Sequence, residues 1–251
     1  MTTLDPIDRL APTRRPDLRP VMYQSWRSLL FLHWEIDPAQ LRPLVPAGLE
    51  LDLYQGKAFV GLVPFTMRGV RPAGLPSAPW LSSFHETNVR TYVHKGGRDP
   101  GVWFFSLDAA NPVAVMLARR LFHLPYHHAR MGLIREAQGV IRYTSRRRWP
   151  GPRPAGCDIR GRPTGTPGPA TVGSLEHFLL ERYLLYCTSR GRLHRGQVHH
   201  RPYPAQTAEL LSLEENLLAA AGLDGVSGPA LAHFAGGVDV EIFKVYQVAE
   251  L

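Results

Sequence analysis

Lysine and cysteine are scarce in this chain of 251 residues. The 29 basic residues include only three lysines, Lys57, Lys95 and Lys244, so almost all of the positive charge is carried by arginine. Cys157 and Cys187 are the only cysteines, and they lack a metal-ligand spacing. Two cysteines exclude a disulfide framework and favour a reducing compartment.

Long hydrophobic runs and nucleotide-binding motifs are also missing. No stretch approaches the roughly 18 apolar residues of a membrane span, and residues 1–20 contain arginines and prolines but no signal-peptide core. No glycine-rich phosphate loop follows a strand, and no Gly-x-Ser-x-Gly turn is present. We therefore expect a soluble, cytoplasmic protein without membrane contact and without a nucleotide or other cofactor.

The formal net charge of +8 would permit an anionic partner. The arginines are spread along the chain, however, and only residues 146–148 form a run. We do not expect a nucleic-acid partner on this pattern, although a nucleic-acid-binding protein remains one hypothesis. It would use Arg142, Arg146, Arg147 and Arg148. A homo-oligomer is compatible with the sequence, which does not define the oligomeric state.

Glycine-centred turns between apolar runs predict a mainly β fold with a few short helices. Hairpin turns are expected near residues 55–57, 95–101, 138–139 and 190–192, and short helices after Asp37 and over 111–122, 174–181 and 213–221. The proline-rich and glycine-rich stretch 149–171 is interpreted as a functional or mobile loop. We expect residues 1–20 to be poorly ordered or draped over the surface, and residues 21–251 to form one curved or closed β-barrel around a small-molecule cavity.

The segment 84–131 contains the candidate site. Side chains alternate along a strand, so the run 85–93 places Glu86, Asn88, Arg90 and Tyr92 on one face. A turn returns the chain into an aromatic strand at 102–108, and a helix over 111–122 then leads to Pro125. The polar face and the residues after Pro125 are therefore predicted to meet.

The same segment resembles a known family at three motifs. The chain is similar to the YqjF-like family of uncharacterised bacterial proteins over 86–93, 101–108 and 118–126. That family in turn resembles acetoacetate decarboxylase, which implies an antiparallel, cone-like β-barrel with a buried pocket. In the decarboxylase, a strand bears a pocket glutamate, and a helix leads into a proline followed by two lysines, the first of which forms a Schiff base.

This sequence departs from the decarboxylase pattern at its central feature. Glu86 matches the pocket glutamate, but Tyr126 and His127 occupy the positions of the two lysines. Tyrosine cannot form an iminium with a carbonyl compound, and Lys57 and Lys95 lie at predicted turns. Lys244 is the one lysine predicted to lie within a strand. The sequence therefore indicates that the protein is not a Schiff-base decarboxylase.

Candidate roles follow for five residues. Asn88, Arg90 and Tyr126 are predicted to bind a small acidic or carbonyl compound, and Glu86 and His127 are the candidate acid/base pair if the protein is an enzyme. Glu86 pairing with Arg90 in a non-catalytic protein, with an internal salt-bridge network, is the alternative. No histidine spacing favours a metal site, and the pair 199–200 is interpreted as surface.

Overall fold

The computed structural model describes residues 7–78, 80–226 and 228–248. Over these residues, thirteen strands form one sheet. The strands are β1 (Met22–Ile36), β2 (Glu50–Leu51), β3 (Ala58–Pro72), β4 (Phe84–Lys95), β5 (Arg98–Ala109), β6 (Tyr126–Arg135), β7 (Ile141–Trp149), β8 (Gly156–Pro163), β9 (Leu184–Ser189), β10 (Arg192–His199), β11 (Ala205–Glu215), β12 (Leu231–Ile242) and β13 (Tyr246–Gln247). The prediction of a mainly β fold with few helices is confirmed.

The helices are short, and three of the four α-helices in the described residues begin with a capping side chain. They are α1 (Pro38–Leu41), α2 (Pro112–Leu121), α3 (Leu175–Leu180) and α4 (Leu217–Ala220). Asn111 caps α2 by accepting hydrogen bonds from the amides of Val113 and Ala114, and Ser174 caps α3 by accepting one from the amide of His177. A capping side chain satisfies amides that have no partner within the helix.

The strands close into two hydrogen-bonded rings that share one wall. The shared wall is β12-β1-β3-β4-β5, in which neighbouring strands pair antiparallel. One ring, here called the large ring, is closed by β6, β7, β8 and β11. The other, here called the small ring, is closed by β9 and β10. Both faces of the shared wall are therefore covered by protein.

Each ring has its own apolar core. The large-ring core contains Leu30, Leu32 and Val89 of the shared wall together with Ile141 and Ile159. The small-ring core combines residues of the opposite face of the wall with Val198 of β10 and with the helix α3. Its members include Leu29, Phe31, Phe59, Val63, Tyr92, Phe178 and Leu179. Alternation along the wall strands therefore sends successive side chains into different cores.

The sheet divides at β5, and this division explains a departure from a purely antiparallel barrel. β5 pairs parallel with β9 at Val102 and Trp103, and parallel with β6 at Leu107 to Ala109. Parallel neighbours need a crossover connection, and α2 provides it between β5 and β6. Between these two pairings, β6 and β9 diverge, and residues 104–106 of β5 lie in the fork.

Two local predictions were wrong. The stretch 149–171 is not one loop, because it contains β8, whose Cys157 and Ile159 are buried against β7. The stretch 213–221 is not one helix, because residues 213–215 continue β11 and pair with β8, and the helix α4 begins only at Leu217. In the second case, pairing with a strand more than 50 residues away in sequence determines the local structure.

The leader also makes specific contacts where it is described. Arg9 forms an ion pair with the buried Asp52, Pro12 is buried in a short 3-10 turn, and Arg15 donates two hydrogen bonds to Glu241. Residues 7–20 therefore lie across the domain, while residues 1–6 lie outside the described part of the chain.

Candidate functional site

The polar face of β4 is fully enclosed in the small ring. Glu86, Asn88, Arg90 and Tyr92 are only 2%, 5%, 8% and 1% exposed. In the antiparallel register, Glu86, Asn88 and Arg90 lie opposite Phe65, Val63 and Gly61 of β3. Phe65 and Val63 belong to the small-ring core, as does Tyr92 itself. An acid, an amide and a guanidinium are thus buried together, which is costly unless each finds a partner.

Glu86 and Tyr126 are in direct contact. The Tyr126 hydroxyl donates a hydrogen bond of 2.8 Å to Glu86 Oε2. Tyr126 reaches this position because it lies beside Leu107 in the parallel β5–β6 pairing, and Leu107 lies opposite Asn88 of β4. Burial raises the pKa of the Glu86 carboxyl to about 8, since the Tyr126 hydrogen bond only partly opposes that effect. Glu86 is therefore a neutral acid at pH 7.

Arg90 is a buried cation without a carboxylate. Its Nη2 donates to the backbone oxygen of Leu179 at 3.2 Å, and its guanidinium lies 5.7 Å from the ring centre of Phe31. Among the described residues, no ion pair joins it to Glu86, so the salt bridge considered from the sequence is absent. The other buried arginines differ, because Arg147 and Arg182 each pair with a buried aspartate at 2.7 and 2.6 Å.

Several buried polar atoms around Arg90 have no hydrogen-bond partner in the described part of the chain. They are Arg90 Nε, Asn88 Oδ1 and both ring nitrogens of His33. His33 of β1 pairs with Gly61, and Gly61 pairs with Arg90, so all three lie side by side on the wall. Burial and the nearby Arg90 hold the pKa of His33 well below its usual value. Unpaired groups of this kind cost about 1–3 kcal/mol each, so a bound group that satisfies them would be favoured.

His127 lies on the other side of the sheet. It is in register with Asp108, which lies opposite Thr87, so its side chain points away from Glu86 and toward the large ring. Its Nδ1 makes a 3.0 Å hydrogen bond with the backbone oxygen of Pro150. Burial lowers the pKa of His127. The structure therefore brings Glu86 together with Tyr126 and separates His127 from them.

The structure describes all three lysines, and none is among the polar residues of the small ring. Lys57 is exposed and forms an ion pair with Glu35 at 2.7 Å. Lys244 is exposed between β12 and β13 rather than within a strand, as the sequence had suggested. Lys95 is half-buried at the end of β4, beside the turn to β5.

An open cleft of about 320 Å³, here called the fork cleft, lies where β6 and β9 diverge from each other beside β5. Three consecutive aromatic residues of β5, Trp103, Phe104 and Phe105, are half-exposed there, although the rest of β5 beyond Asp99 is buried up to Ala109. The remaining lining residues are Leu44, His123, Leu124, Pro125, Tyr186, Cys187 and Thr188. Glu86, Asn88 and Arg90 do not line this cleft.

Sequence reasoning missed part of this environment. His33 lay in a run interpreted only as an apolar strand, although a histidine alternating with Leu29 and Phe31 was a signal of a polar group on the core face. His200, interpreted as surface, is buried and stacks on Tyr183 with ring centres 4.5 Å apart. The backbone oxygen of Leu179, which accepts from both Arg90 and Tyr92, could not be inferred from residue type.

The arginine run is divided by strand alternation. Arg147 is buried and binds Asp108 through two hydrogen bonds of 2.8 and 2.7 Å, and Arg142 pairs with Asp158. Two of the four arginines of the nucleic-acid hypothesis are thus neutralised by aspartates, which leaves Arg146 and Arg148 on the exposed side.

The described residues contain neither a metal-binding cluster nor a membrane-spanning helix. No group of three or more histidine, cysteine, aspartate or glutamate side chains is arranged to hold a metal ion within 7–78, 80–226 and 228–248. Over the same ranges, none of the helices combines the length and the apolar character needed to cross a bilayer.

Comparison with known proteins places the chain in a family. The family model of an uncharacterised conserved protein, DUF2071, matches residues 23–239. The chain belongs to the DUF2071 family. It is 39% identical over 225 residues to the uncharacterised protein YqjF of Bacillus subtilis (strain 168), which covers 90% of this chain and 91% of the relative.

Solved structures with the same fold are acetoacetate decarboxylase-like. An acetoacetate decarboxylase-like enzyme from Sphingomonas wittichii RW1 superposes with a TM-score of 0.66 at 14% identity, covering 93% of this chain and 95% of that one. The acetoacetate decarboxylase of Legionella pneumophila gives 0.63 at 13% identity over 99% and 98%. The enduracididine biosynthesis enzyme MppR, in a complex with pyruvate, gives 0.64 at 12% identity over 94% and 93%. At such identities, these likenesses show the fold alone.

Proposed function

We propose that this DUF2071 protein binds a small acidic or carbonyl compound in the small ring, with the carboxylate of the compound paired to Arg90. One observation carries the proposal: Arg90 is a buried cation, 8% exposed, that donates a hydrogen bond to a backbone oxygen and has no carboxylate partner among the described residues, while Arg147 and Arg182, which are also buried, have aspartate partners. A carboxylate that accepts two parallel hydrogen bonds is the best partner for a buried guanidinium.

The neighbours of Arg90 fit such a ligand. His33 is uncharged at neutral pH because of its low pKa, so it can donate from one ring nitrogen and accept at the other. Asn88 Oδ1 has no donor and can accept a hydrogen bond from a hydroxyl or an enol. MppR, which has the same fold at 12% identity, is described in a complex with pyruvate, a small keto acid, and this supports the chosen ligand class.

Glu86 and Tyr126 are the groups that we assign to acid/base chemistry on a bound carbonyl compound. A glutamic acid with a pKa of about 8 holds a proton at pH 7 and can donate it to a carbonyl oxygen. Tyr126 orients that carboxyl through its hydrogen bond. His127 is not part of this proposal, because it is in register with Asp108 and its side chain lies on the face of the sheet opposite to Glu86.

A thermal-shift titration with pyruvate and acetoacetate tests the proposal. A ligand that binds only the folded state stabilises it by mass action, so we expect a concentration-dependent rise in Tm for the natural protein. Arg90→Met should abolish the rise. Arg148→Met, which removes an exposed arginine instead, should leave it unchanged. If neither acid raises the Tm of the natural protein, or if Arg90→Met responds fully, the proposed function is wrong.

A further inference from the structure

The fork cleft and the polar face of β4 share one side chain. Phe104 of β5 lies opposite Arg90 of β4 in the antiparallel register, so the two side chains are on the same face of the sheet. The same phenylalanine lines the fork cleft and packs against the small-ring core. The side chain of Phe104 therefore lies between the fork cleft and the guanidinium of Arg90.

The distance between the fork cleft and Arg90 is short. Directly opposed residues of an antiparallel pair have Cβ atoms about 5 Å apart, so the cleft begins one side chain away from Arg90. A compound with its carboxylate at Arg90 could place a substituent two or three bonds away against Phe104. Pyruvate has only a methyl group at that distance and would leave the cleft empty.

The chemistry of the cleft is apolar and aromatic. Trp103, Phe104, Phe105, Leu124 and Pro125 are five of its ten lining residues. The hydroxyl of Tyr186 is already bound to the backbone oxygen of Asp99 at 2.7 Å. The volume of about 320 Å³ is enough for a six-membered ring with a short linker. Exposed aromatic side chains that line a cleft usually contact an apolar ligand group.

We propose that the fork cleft binds the aryl or branched alkyl substituent of the acid whose carboxylate pairs with Arg90. The ligand class is then an aryl-substituted or long-chain keto or carboxylic acid rather than pyruvate itself. This inference rests on the proposed function, because it assumes the carboxylate site at Arg90. The cleft determines which acid is preferred, and Phe104 is the specificity-determining residue between the two parts.

The test compares phenylpyruvate with pyruvate by isothermal titration calorimetry. These probes share the keto acid and differ in the ring. We expect phenylpyruvate to bind the natural protein at least about tenfold more tightly than pyruvate, because the ring is removed from water in the cleft. Thr188→Trp fills the cleft from the exposed side of β9, and this variant should reduce the ratio of the two affinities to near one without changing the affinity for pyruvate.

A matched variant controls for the added indole. Thr207→Trp introduces the same group at an exposed position of β11 and should leave the ratio unchanged. If pyruvate binds but phenylpyruvate has no advantage, or if its advantage survives in Thr188→Trp, the cleft inference is overturned while the proposed function stands. If neither compound binds, both fail.

Discussion

At the scale of single residues, Glu86 determines how stability depends on pH. Its pKa is about 8 in the folded protein and is raised from 4.5 by burial, so the folded state keeps a proton that the unfolded chain releases. Below about pH 4.5, Glu86 should therefore not change the free energy of unfolding. Between about pH 4.5 and about pH 8, the free energy of unfolding should fall as the pH rises. We expect Glu86→Gln to remove this slope, because an amide has the same shape and does not ionise.

Urea unfolding at about pH 5 and about pH 8.5 measures the effect. Relative to the natural protein, Glu86→Gln should become more stable at the higher pH, by an amount on the order of a few kcal/mol at most. The exposed Glu214→Gln is the control and should follow the natural protein. Equal pH dependence in the natural protein and Glu86→Gln would show that Glu86 is ionised in the folded state.

Lysine placement gives a second prediction at the residue scale. Lys57 and Lys244 are exposed and Lys95 lies at the hairpin end of β4, whereas Tyr126 contacts Glu86 where the decarboxylase pattern has a lysine. Borohydride reduction in the presence of acetoacetate traps iminium intermediates, because it converts them to stable amines. We expect mass spectrometry to find no adduct. A stoichiometric adduct on any of the three lysines would contradict this, and Lys→Arg at that position would verify its origin.

At the scale of elements, α2 is positioned by one side chain. Asn111 Oδ1 accepts from the amides of Val113 and Ala114 at 3.0 and 3.1 Å, and its Nδ2 donates to the backbone oxygen of Leu81. Asn111→Ala should lower the free energy of unfolding by about 1 kcal/mol, because two amides lose their acceptor. Chemical denaturation measures this loss.

Two comparison variants separate the cap from other effects. Asn111→Asp keeps the accepting oxygen and should recover most of the stability, while Met116→Ala, at an exposed position of the same helix, should change it by less than about 0.5 kcal/mol. If the alanine and aspartate variants at position 111 are equally stable, the cap does not hold α2.

The elements also show what could be predicted from the sequence. The alternation of Glu86, Asn88 and Arg90 predicted their common face, because side-chain direction along a strand is a local property. The strand β8 was missed because prolines 150, 152 and 154 crowd the turn before it and conceal the alternating burial of Cys157 and Ile159. Residues 213–215 have helix-forming composition, yet pairing with β8 makes them a strand.

The contacts within the candidate site could not be predicted from the sequence for a different reason. That Tyr126 reaches Glu86 while His127 does not depends on the register between β5 and β6, which the crossover through α2 establishes. The position of His33 beside Arg90 depends on the pairing of β1 with β3. Registers between strands distant in sequence are set by whole-core packing, so residue identities alone did not define the partners of Arg90.

At the scale of the whole molecule, the two rings depend on how closely β9 approaches β5. Gly101 lies at this junction, where an added Cβ would be 2.7 Å from the backbone oxygen of Leu184 and 2.9 Å from its Cβ. The contact is with backbone, which cannot move without separating the strands. Gly101 is therefore required for closure of the small ring, while the large ring closes through β6 instead.

We expect Gly101→Ala to loosen the small ring selectively and to lower the free energy of unfolding by about 1–3 kcal/mol. Hydrogen exchange followed by mass spectrometry should show faster exchange in β9 and β10, with β7 and β8 unchanged, because these strands belong only to the large ring. Gly168→Ala is the matched control, since no atom lies within 4 Å of its added Cβ. If hydrogen exchange became faster by the same factor in β7, β8, β9 and β10, the two rings would open as a single unit. That result would contradict the division into a large and a small ring.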